Sequence, residues 1–226
     1  MLTTVFFDAG NTLVFADHSR TLAPLEAAGF HATEEQLYAA ERFTKKRLDA
    51  AIASRVSDHS NDPSVDHDFW RVYYTHLTKA LGAPATLVAG CVAATRRSAN
   101  WSRVLPGTRE VLRELRARGL RLGVISNSDG GIESILRAVG LGDCFDTFTD
   151  SGKIGVEKPH PGIFQHALAS LNARAEASVY VGDSYSLDYQ GAEAASMRAI
   201  LMDAAGTYRD DPYLRITSLS ELLGML

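Results

Sequence analysis

The sequence predicts an α/β fold: a parallel sheet flanked by helices, with an inserted all-helical block. Three observations predict it. From Val104 onward, short apolar runs alternate with helical segments, the pattern of right-handed βαβ units. A first apolar run, residues 2–7, stands apart at the start of the chain. Between the two, from about Thr21 to Asn100, the character is helical with no convincing strand. The first strand therefore joins the later sheet across the insertion. This gives an α/β core of residues 1–15 and 101–226 and a helical domain of residues 16–100. The helical block is expected as a lid over the carboxyl ends of the strands, with hinges near residues 15–20 and 100–106.

Each element has a local reason. Val5, Phe6 and Phe7 form the β-type run of the first strand, and residues 15–20 read as a linker. In Thr33-Glu34-Glu35-Gln36, Thr33 is an N-cap and Gln36 completes a capping box. Leu37, Ala40, Phe43, Leu48 and Ile52 then recur at helical spacing. Residues 57–64 are polar, contain Pro63 and read as a loop. Phe69, Trp70, Tyr73, Tyr74 and Leu77 line one helical face, either as a substrate-contacting wall or as helix–helix packing, the commoner use of such a stripe. Pro106-Gly107-Thr108 opens a helix that Gly119 ends. Residues 120–125 are a buried strand, and 132–139 a helix closed by Gly140. Strands follow at 145–148, 178–181 and 198–202, with helices at 161–171, 187–195 and 219–226.

Composition bounds the function classes. The 226 residues are 46% hydrophobic and 22% charged, a balance that buries a sizeable core without staples. The net charge of −4 and the lack of a basic block speak against nucleic acid or an anionic membrane as a partner. No apolar run is long enough to span a bilayer, and no secretory signal pattern is seen, so a cytoplasmic location is expected. Cys91 and Cys144 lie far apart in no metal spacing and read as reduced, partly buried thiols, with a disulfide left open. A monomer or small homo-oligomer fits the length.

Chemistry gathers at strand ends. Asp8 ends the first strand beside Ala9-Gly10-Asn11-Thr12, where a carboxylate serves as nucleophile, as metal ligand or merely as a turn or cap residue. Ser126-Asn127-Ser128 follows the second strand, where a hydroxyl and backbone N–H groups suit a phosphate or cap the next helix. Lys158 precedes Pro159-His160-Pro161. The prolines argue for a fixed ammonium that neutralises phosphate oxygens or holds a carboxylate ionised, and His160 reads as a helix-start residue. Gly182-Asp183 and Asp188 straddle the last strand-to-helix turn. With Asp8 they offer hard oxygen ligands of the kind Mg²⁺ takes.

These four segments, in this order, resemble the haloacid dehalogenase-like (HAD) hydrolase superfamily over nearly the whole chain. The resemblance implies a Rossmann-like core with a helical C1 cap and a Mg²⁺-dependent hydrolase, most simply a phosphatase acting on a small phosphorylated molecule. It implies that Asp8 attacks phosphorus, that Ser126 and Asn127 with Lys158 bind the phosphoryl group, and that Lys158 stabilises Asp8. Metal ligands would be Asp8, the Gly10 carbonyl, Asp183 and Asp188, the last directly or through water.

One position departs from the pattern. Phosphatases of the family carry a second Asp two residues after the nucleophile, as general acid and base, and this chain has Gly10. Such catalysis is worth roughly 10²–10⁴-fold. Three readings follow. One is a slow or selective phosphohydrolase of substrates with good leaving groups, or one that borrows an acid, with Asp17 and His18 the nearby candidates. Another is a different hydrolase: Gly182-Asp183 argues against dehalogenation, and a phosphonatase would draw on Lys45 or Lys46, which read more simply as a solvated helix face. The last is a catalytically weak ligand-binding or regulatory protein.

Overall fold

A computed structural model describes residues 1–58 and 68–226. The chain forms two compact units, one of Met1–Phe15, Trp101–Ala204 and Asp210–Leu226, the other of Ala16–Asn100 and Ala205–Arg209. The short segment Ala205–Arg209 thus groups with the helical unit, although it lies within the sequence stretch 101–226 expected to form the core.

The first unit is built on eight strand segments: β1 (Thr4–Phe7), β2 (Phe15–Ala16, which runs into the second unit), β3 (Trp101–Arg103), β4 (Arg121–Ser126), β5 (Thr147–Asp150), β6 (Ser178–Gly182), β7 (Arg198–Met202) and β8 (Arg215–Ile216). Six form one sheet in the order β5-β4-β1-β6-β7-β8, and β2 pairs with β3 separately. Every pairing in the large sheet is parallel. β1 is the point where the winding reverses: β4 and β5 build outward on one side, and β6, β7 and β8 on the other. Ligands in such sheets bind outside the carboxyl ends at that switch point.

The register fixes what meets there. Phe7 lies opposite Val124 on one side and Val181 on the other. One residue on, Asp8 therefore emerges level with the ends of β4 and β6. Side chains alternate across the sheet, as strand geometry requires. Val5, Phe7, Leu122, Val124, Val179 and Val181 enter one apolar cluster with Leu112, Leu115, Leu136 and Leu222. Phe6, Ile125 and Tyr180 enter the other with Ile163, Phe164 and Ala192. Both faces are covered by helices, which is why these strands read as continuous apolar runs.

Helices Thr108–Ala117, Ile132–Ala138 and Pro161–Ser170 stand where expected. Gly119 and Gly140 follow the first two with φ of 83° and 73°, a left-handed backbone that glycine adopts without strain. Residues 187–195 are not one helix. A π-turn, Tyr185–Tyr189, precedes a short helix, Gln190–Ala194; the wider turn carries Asp188 inward. The expected linker at 15–20 is ordered as β2 and a helical turn, His18–Thr21, which Asp17 caps through Ser19 N. The pair β2 and β3, like β8, was not expected, because two or three residues carry no readable period.

The second unit is helical: Glu34–Asp58, Phe69–Ala80 and Val88–Thr95, with short turns before them. The Thr33 capping box forms, Gln36 N donating to Thr33 Oγ1 (3.2 Å) and Thr33 N to Gln36 Oε1 (2.8 Å). Tyr74 and Leu77 pack with Ala40, Leu25 and Cys91, so this part of the aromatic stripe is helix packing. Phe43 instead stays exposed, under the Arg47 guanidinium. Of the expected loop at 57–64, residues 59–64 lie outside the described residues, and Ser57 and Asp58 end the long helix. Among the described residues no helix is long and apolar enough to cross a membrane.

Cys91 and Cys144 are both free and buried. Burial pushes the Cys91 thiol up to about 11, so it holds its proton at neutral pH. The native protein is therefore expected to react negligibly with a thiol reagent such as dithionitrobenzoate, and both cysteines to react once it is unfolded in denaturant. Rapid native labelling would contradict the packing.

Candidate active site

Asp8 follows β1 and is buried. Its N–H donates to Val181 O (2.8 Å), which ties it to β6. Its carboxylate does not cap a helix. Oδ1 accepts a 2.6 Å hydrogen bond from Lys158 Nζ. The same ammonium donates to Asp188 Oδ1 (2.7 Å) and to Tyr180 Oη (3.0 Å). The Lys158 side chain is 3% exposed, so its three N–H groups are met by three protein oxygens.

Asn127 sets the lysine backbone. Its Oδ1 accepts from Lys158 N (2.7 Å), and its Nδ2 donates to Lys158 O (3.1 Å). Asn127 was expected among the substrate-binding residues; its side-chain amide is engaged on both sides in holding Lys158. Ser126 ends β4 and is buried, one residue past the level of Asp8. Ser128 is turned away to Asp150, a buried carboxylate that also accepts from Gly130 N (2.9 Å), Ile132 N (3.1 Å) and Gly152 N (3.0 Å). Asp150 thereby shapes the turn behind Ser126, a role hidden in sequence because it ends a short strand far along the chain. His160 caps the next helix, accepting from Gly162 N (3.0 Å), as expected.

Asp188 comes from the π-turn. Its Oδ1 accepts from Lys158 and from Tyr180 Oη (2.7 Å), and its Oδ2 from Ser184 N (2.9 Å). Gly182 is required for this approach: a Cβ there would lie 2.4 Å from Asp188 Cγ. Tyr180 was missed by the sequence reading. The available signal was a phenol in the middle of a buried strand, where its hydroxyl must find a partner.

The carboxylates of Asp8, Asp183 and Asp188 each bring an oxygen to within 4.8 Å of the others. Three carboxylates gather here around the one Lys158 ammonium. A hard divalent cation suits both the charge and the oxygen donors. Around Gly10, Ala9 O accepts from Val14 N (3.0 Å) and Val14 O from Asn11 N (2.8 Å), so the Gly10 carbonyl takes no part in that turn. A Cβ at Gly10 would lie 3.2 Å from the Trp101 ring, a tight contact to which the ring would have to yield by a few tenths of an ångström.

The other candidates are engaged in the helical unit. Asp17 caps Ser19 N and pairs with Arg20 (3.3 Å). Lys45 pairs with Glu41 (3.7 Å) with its side chain only 11% exposed, so it is not the solvated residue expected. Lys46 lies over the Tyr208 ring, 4.8 Å from its centroid.

Burial, followed by the charges of Asp188 and Asp183, pushes the Asp8 carboxyl up to about 7 against the pull of Lys158. Burial alone would lower Lys158, but Asp188 and Asp8 outweigh it and hold the ammonium above the ordinary lysine value. Burial, with Asp188 and Asp8, holds Tyr180 well above 10, so it is a neutral phenol.

Comparison with known proteins shows the family and the fold. A family model described as haloacid dehalogenase-like hydrolase matches residues 2–196. The chain is 44% identical over 112 residues to human "haloacid dehalogenase-like hydrolase domain-containing protein 3", a match covering 50% of this chain but only 44% of that protein. It is 31% identical over 218 residues to a "glyceraldehyde 3-phosphate phosphatase" of Methanothermobacter thermautotrophicus, covering 90% of this chain and 87% of that protein. A magnesium-bound HAD hydrolase of Bacillus subtilis shares the fold at a TM-score of 0.68 and 18% identity, covering 100% of this chain and 98% of that one.

The raised Asp8 value sets a pH dependence for the metal-free protein. A carboxyl near 3.8 when unfolded and about 7 when folded binds its proton more tightly in the native state. Its contribution is fully present below about pH 4 and is lost as pH rises through about 7. In denaturant titrations with EDTA, wild-type stability relative to Asp8→Asn should fall across that window and level off above it. A difference that does not vary with pH would contradict the assignment.

Proposed function

The chain belongs to the haloacid dehalogenase-like hydrolases, and from that premise we propose that it is a Mg²⁺-dependent phosphohydrolase acting through a covalent intermediate on Asp8. The observation that carries this reading is the buried Lys158–Asp8 pair beside the three-carboxylate cluster. A carboxylate whose one oxygen is fixed by an ammonium presents the other for attack. Asp8 Oδ2 would bond to phosphorus as the bond from phosphorus to the leaving oxygen breaks, that oxygen departing with the electron pair. Water would then attack the aspartyl-phosphate, releasing inorganic phosphate and restoring Asp8. Lys158 keeps Asp8 in place and, once Asp8 is esterified, has an N–H to offer a phosphoryl oxygen. Ser126, at the end of β4, is the second candidate donor to that group.

Asp8, Asp183 and Asp188, with the Gly10 carbonyl, would hold Mg²⁺. Bound there, the ion would neutralise phosphate charge and offset the repulsion among the carboxylates. Asp188 already accepts three hydrogen bonds, so its share is best made through one remaining lone pair or a water. The relative named a glyceraldehyde 3-phosphate phosphatase supports a small phosphorylated substrate. With Gly10 in place of a carboxylate, phosphates with weakly basic leaving groups are favoured, since no side chain at that position can protonate the departing oxygen.

The test is a Mg²⁺-supplemented screen of aryl and alkyl phosphates on wild type and Asp8→Asn. Turnover that needs Mg²⁺ and drops by about 10³-fold or more in the variant is expected, the scale of losing a nucleophile. Metal-independent turnover, or turnover unchanged in Asp8→Asn, would overturn the reading.

Position 10 supplies a second prediction. Because the Trp101 ring closes on Gly10, Gly10→Asp alone should strain the turn and give little gain. Gly10→Asp with Trp101→Ala should raise alkyl-phosphate turnover by about tenfold or more relative to Trp101→Ala alone, part of the roughly 10²–10⁴-fold that a well-placed acid–base group supplies. Comparing kcat/KM of the two checks it.

A further inference from the structure

Lys158 faces two carboxylates that compete for it, with Asp8 Oδ1 at 2.6 Å. Asp188 is the more buried of the two and stands 2.7 Å from the ammonium. An ammonium drawn wholly to Asp188 would leave Asp8 without its counter-charge. Tyr180 lies at the centre of this contest. Its hydroxyl accepts from Lys158 Nζ (3.0 Å) and donates to Asp188 Oδ1 (2.7 Å), with Ile125 O a further 3.3 Å away. The ring is fully buried and packs edge-on against Phe164, with centroids 5.2 Å apart. The hydroxyl is fixed by its own hydrogen bonds to Lys158 and Asp188.

We propose that Tyr180 is a positioning residue: its hydroxyl locks Asp188 and Lys158 into one unit, so that the third ammonium N–H stays directed at Asp8. The phenol O–H takes up one lone pair of Asp188 Oδ1 and so weakens its hold on the ammonium. Its own lone pair satisfies one N–H of Lys158. Two of the three ammonium bonds then form a fixed pivot, and only the third changes acceptor when Asp8 is consumed. The catalytic consequence rests on the phosphohydrolase reading, whereas the placement of Lys158 does not.

The test compares wild type, Tyr180→Phe and Phe164→Leu. Tyr180→Phe keeps the ring and leaves one Lys158 N–H without an acceptor. With p-nitrophenyl phosphate and Mg²⁺ its kcat should fall about tenfold, the lower range for a buried unsatisfied donor, while KM stays within about twofold. Phe164→Leu removes the ring contact and spares the hydroxyl; it should lower Tm and leave kcat within about twofold. An unchanged kcat in Tyr180→Phe, or an equal loss in Phe164→Leu, overturns the proposal. A crystal structure of Tyr180→Phe gives an arm free of activity. There the Lys158 Nζ to Asp8 Oδ1 distance should open beyond 3.2 Å, the limit of a good hydrogen bond. An ammonium left where it was overturns the proposal even if wild type has no phosphatase activity, while a dead wild type with a shifted Lys158 sinks only the phosphohydrolase reading.

Discussion

A lysine ammonium taken out of water must have its charge and its three N–H groups met by protein, and Lys158 meets that demand with Asp8, Asp188 and Tyr180. Each of these comes from a different place in the chain. Asp8 follows β1, Tyr180 sits in β6 and Asp188 lies in the turn beyond it. Removing one would leave a buried charge with an open valence, a costly state. The close approach of Asp188 in turn depends on the missing side chain at Gly182. The arrangement is a set of mutually dependent contacts, and the ammonium is their common member.

The sheet order makes the set possible. β4 and β6 flank β1 in parallel, so the ends of all three strands come out level with one another. Loops that leave from those ends then meet above β1. Asn127 leaves β4 and grips the backbone of Lys158, so the turn carrying Ser126 and the loop carrying Lys158 are held as one piece. Asp150, at the end of β5, ties down the rest of the β4 turn through two backbone N–H groups and the Ser128 hydroxyl.

β1, β4, β6 and β7 were legible because they are buried on both faces and long enough to show as apolar runs. β2, β3 and β8 were not, since two or three residues hold no period. Asp8, Lys158, Asp183 and Asp188 were legible as polar residues at strand ends, and the two prolines after Lys158 marked it as fixed. Tyr180 was hidden by looking like core, which its ring is. Asn127 was read as a substrate group because its position fits one; that its amide turns to the Lys158 backbone depends on a loop about thirty residues away, a long-range pairing that no local pattern reveals.

Ala205–Arg209 belongs with the helical unit, so the chain passes between the two units at residues 15–16, 100–101, 204–205 and 209–210. This bears on modularity. A simple insertion could be exchanged between related proteins by cutting at its two ends. Here a graft of residues 16–100 alone would leave behind Tyr208, a fully buried ring whose hydroxyl donates to Asp49 Oδ2 (2.6 Å) and whose face receives Lys46. Any evolutionary or engineered exchange of the helical unit must carry a second, distant piece of sequence with it, so the two stretches are expected to have diverged as a pair.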